Sequence, residues 1–256
     1  MTRVLVTGST QGLGRATAED LLRRGHQVVV HARNQDRASS VAALAARGAS
    51  VVFGDLSSQQ QTRALAVQVN QLGRMDAIVH NAGVYADEQP FQTAESLPRV
   101  LAVNVFAPYL LTALIDRPDR LIYVTSGMHT GGDPTLNDLG WRARRWNGVQ
   151  AYRDSKLLVT TLAFAIAGRW PRVRSNAVDP GWVPTRMGGP HAPDDLELGY
   201  RTQVWLATSD DPAATASGSY WHHAQQRTAP AAATDPDFQD TLVDTLAKLT
   251  GTALTQ

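Results

Sequence analysis

Tyr152 and Lys156 stand four residues apart, the spacing that places two side chains on one face of an α-helix. A tyrosine phenol, with an ordinary pKa near ~10, is a poor base at neutral pH, but a neighbouring ammonium favours its phenolate. Such a pair can give a proton to, or take one from, the oxygen of a carbonyl or alcohol. Lysine occurs only at positions 156 and 248, while arginine supplies the other positive charges, so Lys156 stands apart from the general solvated charge. Ser126, upstream, carries a hydroxyl that can hydrogen-bond the same substrate oxygen. Tyr-x-x-x-Lys alone is short, and a tyrosine at the edge of a core is the plainer reading of it. Its meaning depends on the elements that position it.

A second group of candidates lies near the N-terminus. Thr7-Gly8-Ser9-Thr10-Gln11-Gly12-Leu13-Gly14 joins an apolar strand pattern over 3–7 to a helical pattern over 16–24, with Gly25 as its stop signal. Glycines let the backbone approach a pyrophosphate, and free helix N–H groups face its charge. Gly8, Ser9, Gln11, Gly12, Leu13 and Gly14 are therefore cofactor-binding candidates. The spacing TGxxxGxG differs from GxGxxG, and it is the strand before and the helix after that carry the reading. The second strand ends in His31-Ala32-Arg33-Asn34, with no acid to accept from a ribose 2′-OH. Arg33 can instead pair with a 2′-phosphate and stack on adenine, which predicts NADP(H) in preference to NAD(H). Asp55 and Leu56 close the third strand where an adenine edge would lie, although Asp55 also suits a helix N-terminus.

Strand and helix patterns alternate along the chain. Strands are expected at 3–7, 27–31, 50–54, 77–80, 120–126, 173–178 and 218–222. Helices are expected at 16–24, 36–47, 58–72, 96–115 and 152–169. This order predicts an α/β class: one Rossmann-fold domain over 1–256, a doubly wound parallel sheet of seven strands with helices on both faces. Residues 228–234, rich in Ala and Pro, read as an exposed linker before a short terminal helix. Two connections, 127–150 and 182–200, exceed the usual length and fall at carboxyl ends of strands, where α/β proteins bind ligands. Hydrophobic residues make up 43%, charged residues 18%, and the formal charge is +1, an ordinary balance with no signature of a nucleic-acid partner. No apolar run approaches the ~20 residues that span a bilayer, so a cytoplasmic protein without a membrane anchor is expected. Cysteine is absent, which excludes thiol chemistry, and the seven histidines show no ligand spacing, so no catalytic metal is expected.

Taken in order, these motifs resemble those of the short-chain dehydrogenase/reductase family over essentially the whole chain. They are TGxxxGxG at Thr7–Gly14, Asn81-Ala82-Gly83 after the fourth strand, Asn104, Ser126, Tyr152-Arg153-Asp154-Ser155-Lys156 and Pro180-Gly181. The resemblance implies catalytic roles for Asn104, Ser126, Tyr152 and Lys156, with Asn104 holding a water in a proton relay to Lys156. It also implies that Asn81, Ala82 and Gly83 support the sheet beside the cofactor. Pro180, Gly181, Val183 and Thr185 would lie at the nicotinamide, with Val183 and Thr185 on its amide. Val124 to His129, followed by the Trp-bearing segment, is similar to the retinol-dehydrogenase-like branch. One departure is His80, where the family more often has a second asparagine.

Met128, His129, Trp141, Trp146, Trp182 and Met187 fall in the segments flanking this site, which predicts an apolar, partly aromatic carbonyl or alcohol substrate. For His129 a structural role is the stronger reading. The resemblance implies a homodimer or homotetramer through the Asn104 and Tyr152 helices. Two rival functions share these motifs. A dinucleotide-binding sensor or scaffold would do no chemistry, against which stands the retention of all four polar groups. A sugar epimerase or dehydratase would normally need a larger substrate domain.

Overall fold

The computed structural model describes residues 1–85, 89–90 and 92–255. Seven parallel strands run in the order β3-β2-β1-β4-β5-β6-β7: β1 Arg3–Val6, β2 Gln27–Ala32, β3 Ser50–Phe53, β4 Ala77–His80, β5 Arg120–Val124, β6 Arg174–Asp179 and β7 Ser219–His222. An eighth, β8 Gln225–Arg227, pairs antiparallel with β7 at the edge. The seven expected strands are all present, and β8 is the addition. It escapes the apolar pattern because all three of its residues are exposed. Its turn carries no Asn-Gly signal either: His223 and Ala224 both take positive φ, 48° and 58°, values usually left to glycine or asparagine.

Period-2 alternation sorts the sheet's side chains into two cores. Leu5, Ile78, Leu121 and Tyr123 face one layer, where α3 (Gln59–Gln71), α5 (Ala107–Leu114), α6 (Gly148–Arg169) and α9 (Pro236–Thr250) pack. Val4, Val6, Val79, Ile122 and Val124 face the other, against α1 (Gly12–Arg23) and α7 (Leu196–Thr208). Helix α7 lies inside what the sequence reads as loop and tail of a connection. Its Asp195 N-cap, whose carboxylate accepts from the N–H groups of Glu197 and Leu198, marks its start. The expected helix over 36–47 is instead a 3-10 turn, Gln35–Val41, leading into the short α2, Ala42–Ala45.

The expected helix over 96–115 begins later, because Pro98 precedes α4 (Arg99–Leu101) and Ser96 takes φ 58°. Between α4 and α5 the backbone winds as a π-helix over Ala102–Phe106. Pro108 has no N–H to give the carbonyl four residues back, that of Asn104, and a wider turn is the local answer.

Residues 228–234 are not a free linker. Ala231–Thr234 forms α8 with Ala233 fully buried, and α9 places Leu242, Val243 and Leu246 on the core beside α6. The chain beyond α9 is tied down: the Tyr109 hydroxyl donates to the Thr252 carbonyl at 2.7 Å, and Trp170 Nε1 and Arg117 each donate to the Thr255 carbonyl. The C-terminal segment thus packs on its own chain's α5 and the end of α6. No helix among the described residues is long and apolar enough to cross a membrane. Leu246→Ala is expected to cost about 2–5 kcal/mol, read as a lowered urea midpoint at unchanged m-value, because Leu246 is wholly enclosed between α9 and that core.

Candidate active site

The carboxyl ends of β1, β4, β5 and β6 open into one cleft of about 890 Å³. On one side lies the glycine loop. Gly8 has φ +68°, and a Cβ there would come 2.9 Å from the Ala82 Cα; one on Gly14 would meet the Gly8 carbonyl at 2.5 Å. Helix α1 starts at Gly12, its Gln11 cap provides no side-chain acceptor, and no acid stands in its first turn. Its first N–H groups are therefore available at the cleft, with the positive end of the helix dipole behind them. A bare glycine backbone beside an uncapped helix N-terminus fits a dinucleotide pyrophosphate.

The loop is laced to its neighbours. Asn81 donates its amide to the Thr7 carbonyl at 2.9 Å, and the Ala82 N–H donates to the Thr7 hydroxyl at 3.0 Å. Gly8 N–H donates to His31 Nδ1 at 3.0 Å, while His31 Nε2 donates to the Gly54 carbonyl at 2.8 Å. Those two bonds require one neutral tautomer, and burial lowers the pKa of His31, which keeps it neutral. Ser9, expected at the cofactor, is fully buried instead, its hydroxyl taken by the Val6 carbonyl and the His31 N–H. Arg33 lines the cleft, half exposed, with Nε 3.8 Å from Asp55 Oδ2; Asp55 and Leu56 line it beside Arg33. Thr185 faces Gly12 across the cleft: a Cβ on Gly12 would lie 3.3 Å from Thr185 Cγ2.

On the other side α6 presents Tyr152 and Lys156, with Nζ 5.5 Å from the phenol ring centroid. Nζ donates to the Val124 carbonyl at 3.0 Å. Burial pushes Lys156 down to about 8, opposed by the charge of Asp179. Burial likewise pushes Tyr152 up to about 12, while Ser126 beside the phenol acts in the opposite sense. Ser126 closes the first turn after β5, its hydroxyl accepting the Met128 N–H at 3.3 Å. Asn104 does not line the cleft. Its amide clamps both the N–H and the carbonyl of Val84, and donates to Ser155 Oγ at 3.0 Å. Ser155 in turn donates to the Tyr152 carbonyl at 2.7 Å, so Asn104 supports the tyrosine turn of α6 from behind. A Cβ on Gly83 would lie 3.5 Å from both Asn104 Oδ1 and Lys156 Nζ, a slot kept open by the glycine.

Ala82, Gly83, Pro180, Gly181 and Val183 border the same cleft, as do Met128, Trp182 and Met187. Trp141 and Trp146 do not. They pack edge to face at 5.1 Å, Arg144 lies 3.7 Å over the Trp141 ring, and Arg144 pairs with Asp154 at 3.0 Å, pinning residues 133–154 together. His129 is buried edge-on against Tyr220, consistent with its structural reading. His80 is buried too, stacked on Tyr123 and bonded to Thr112, with its pKa lowered to about 3 by burial. Among the cleft-wall residues that sequence reasoning did not assign to the site are His31, Tyr85, Asp179 and His222. Asp179 immediately precedes Pro180-Gly181, which is the signal that marks it; Tyr85, whose ring lies 4.7 Å from that of Tyr152, carries none.

A model of the short chain dehydrogenase family matches residues 2–120. The chain is 39% identical to the short-chain dehydrogenase chry4 of Gibberella zeae, over 99% of both chains. It is 30% identical to human retinol dehydrogenase 13, over 72% of this chain and 60% of that protein. Among solved structures, an uncharacterised protein of Mycobacterium paratuberculosis superposes with TM-score 0.86 at 26% identity, covering 100% of this chain and 96% of the other. An NADPH-bound carbonyl reductase from chicken fatty liver superposes with TM-score 0.67 at 21% identity, over 90% and 99%.

The His31 bridge makes a direct prediction. His31→Phe keeps a planar aromatic ring but strands the Gly8 N–H and the Gly54 carbonyl, so dinucleotide affinity is expected to fall roughly 5- to 100-fold. Fluorescence titration with NADPH reads this, and unchanged affinity in a folded variant would show that the bridge does not shape the loop.

Proposed function

The chain belongs to the short-chain dehydrogenase family, an NAD(P)-dependent oxidoreductase family, and on that premise we propose that it exchanges hydride between NADP(H) and an apolar, partly aromatic carbonyl or alcohol, with Tyr152 as the proton donor and acceptor. The observation that carries the proposal is that the phenol of Tyr152, the buried ammonium of Lys156 and the hydroxyl of Ser126 share a cleft with an uncapped, glycine-lined helix N-terminus.

When bound, the nicotinamide supplies or takes the hydride. The chain's own groups handle the proton and the charge. In carbonyl reduction Tyr152 Oη gives its proton to the substrate oxygen, and the Ser126 hydroxyl donates to that oxygen as negative charge develops on it. The Lys156 ammonium, fixed by the Val124 carbonyl, stabilises the phenolate that Tyr152 becomes. Asn104 holds the Tyr152 turn through Ser155 and stands beside the Gly83 slot next to Lys156 Nζ, the place for the water of a relay. Gly8, Gln11, Gly12, Leu13 and Gly14 would hold the pyrophosphate, Asp55 and Leu56 the adenine edge, and Asn81 to Gly83, Pro180, Gly181, Val183 and Thr185 the nicotinamide side. Met128, Trp182, Met187 and Tyr85 provide the apolar and aromatic wall for substrate.

Arg33 supports the NADP(H) preference. It is the cation at the end of β2, half exposed and facing the cleft, where its guanidinium can pair with a 2′-phosphate; its carboxylate partner Asp55 stands 3.8 Å away. The NADPH held by the chicken carbonyl reductase of the same fold is consistent with this preference.

Two measurements test the reading. Tyr152→Phe is expected to lower NADPH-dependent turnover of aldehydes, ketones and quinones roughly a hundred- to ten-thousand-fold with the circular dichroism spectrum intact; unaffected turnover would sink the mechanism and favour a binding-only role. Arg33→Ala is expected to raise the apparent KM for NADPH roughly tenfold or more while leaving that for NADH nearly unchanged, and equal effects on the two would refute the phosphate role.

A further inference from the structure

We propose that Asp179 is a positioning residue that keeps the Tyr152–Lys156 pair loaded with protons at neutral pH, the state from which a carbonyl is reduced. The inference rests on the proton-transfer reading above and adds a residue that none of the motifs assigns.

The geometry begins with strand register. Val124 on β5 pairs with Val178 on β6, and the Thr125 N–H donates to the Val178 carbonyl at 2.8 Å, so Asp179 emerges beside Thr125 and Ser126. Its carboxylate lies against Gly127, where a Cβ would sit 3.1 Å from Oδ2. Lys156 Nζ is held 3.0 Å from the Val124 carbonyl, at the same corner of the sheet. Neutral donors fix the carboxylate there: Oδ1 accepts the Gly181 N–H at 2.9 Å, and Oδ2 accepts the Tyr220 hydroxyl at 3.1 Å. His222 Nδ1 stands 3.5 Å from Oδ2, and among the described residues no arginine or lysine comes within 4.0 Å. A buried carboxylate with no fixed cation in contact projects its charge onto the groups around it.

Those groups come from every neighbouring element. Helix α6 brings Tyr152 and Lys156; the turn after β5 brings Ser126 and His129; β7 brings Tyr220 and His222. The segment after β6 brings Asp194 and the turn after β7 brings His223, both beside Gly181, and Tyr85 flanks Tyr152. The sign is the same at both members of the pair. Negative charge favours the ammonium of Lys156 and disfavours the phenolate of Tyr152, so Asp179 raises both against loss of their protons. Reduction consumes one proton from Tyr152 Oη and one hydride from the reduced nicotinamide, giving the alcohol and the oxidised cofactor. Asp179 favours the protonated start of that step.

The test uses the chain's unusual lysine content. Lysine labelled with carbon-13 at Cε gives two resonances, one from Lys156 and one from Lys248, assigned with Lys248→Arg. In the wild-type protein Lys156 is expected to titrate near 8. Asp179→Asn should lower that midpoint by roughly one pH unit, and the alkaline fall of carbonyl reduction should move to lower pH with it. Tyr220→Phe, which removes an anchor and keeps the charge, should leave the midpoint in place. Asp179→Ser serves as a second neutral variant, with the same shift expected, should the asparagine protein not fold. An unmoved Lys156 midpoint in a folded neutral variant overturns the inference, as does an equal shift in Tyr220→Phe. Turnover surviving in Tyr152→Phe would instead overturn the proton-transfer reading, while the lysine titration would still report on Asp179.

Discussion

An ammonium buried at the carboxyl end of a parallel sheet is the constraint around which this molecule is organised. Taking an isolated charge out of water costs several kcal/mol, and Lys156 is nearly inaccessible. The fold offsets that cost locally. The Val124 carbonyl, at the end of β5, no longer belongs to a continuing ladder and is free to accept from Nζ. The glycine at position 83 leaves polar space on another side, and the Asp179 charge acts from β6. Each contributor sits where a strand ends, which is why the ammonium can exist only at that edge of the sheet and not deeper in either core.

The cofactor side obeys a different constraint, that of holding a glycine loop still. A loop with three glycines, Gly8, Gly12 and Gly14, has little intrinsic stiffness, so order is imposed from β2 and β4. Thr7, Asn81 and Ala82 tie the loop to β4, while His31 spans from Gly8 to Gly54 and so joins the ends of β1, β2 and β3. A neutral imidazole suits this position because it donates at one nitrogen and accepts at the other, which an ammonium, having no acceptor, could not do.

Much of this was legible from the chain. Apolar runs of four to six residues alternating with helical periods are a strong local signal, and all seven parallel strands fall within about two residues of their expected bounds. Tyr152, Lys156, Ser126 and the glycines were visible because each belongs to a short motif. What escaped the sequence depends on contacts distant along the chain. Nothing local to Asp179 or His31 announces that one lies against Gly127 and the other bridges residues 8 and 54. Trp141 and Trp146 read as pocket residues because aromatic side chains near a site resemble substrate walls, whereas Arg144, paired with Asp154, draws them into a separate cluster. The helix α8, the strand β8 and the packing of the C-terminal segment on α5 and the end of α6 were hidden for the same reason: alanines, an all-polar edge and a helix's docking face have no period of their own.

Asn104 shows how backbone and site chemistry meet. Its side chain makes three hydrogen bonds, with Val84 and Ser155, and its backbone carbonyl is open to a further contact only where the helix departs from the α register. The π-helix supplies that opportunity. With Pro108 unable to donate to it in the ordinary α register, the Asn104 carbonyl is released from the standard i to i+4 pairing. Asn104 thus combines two features: its side chain props the Tyr152 turn from behind, and the proline four residues on leaves its carbonyl outside the ordinary α-helical ladder. An Asn in an unbroken α-helix would retain the first feature and lose the second, which ties the backbone at position 104 to the identity of position 108.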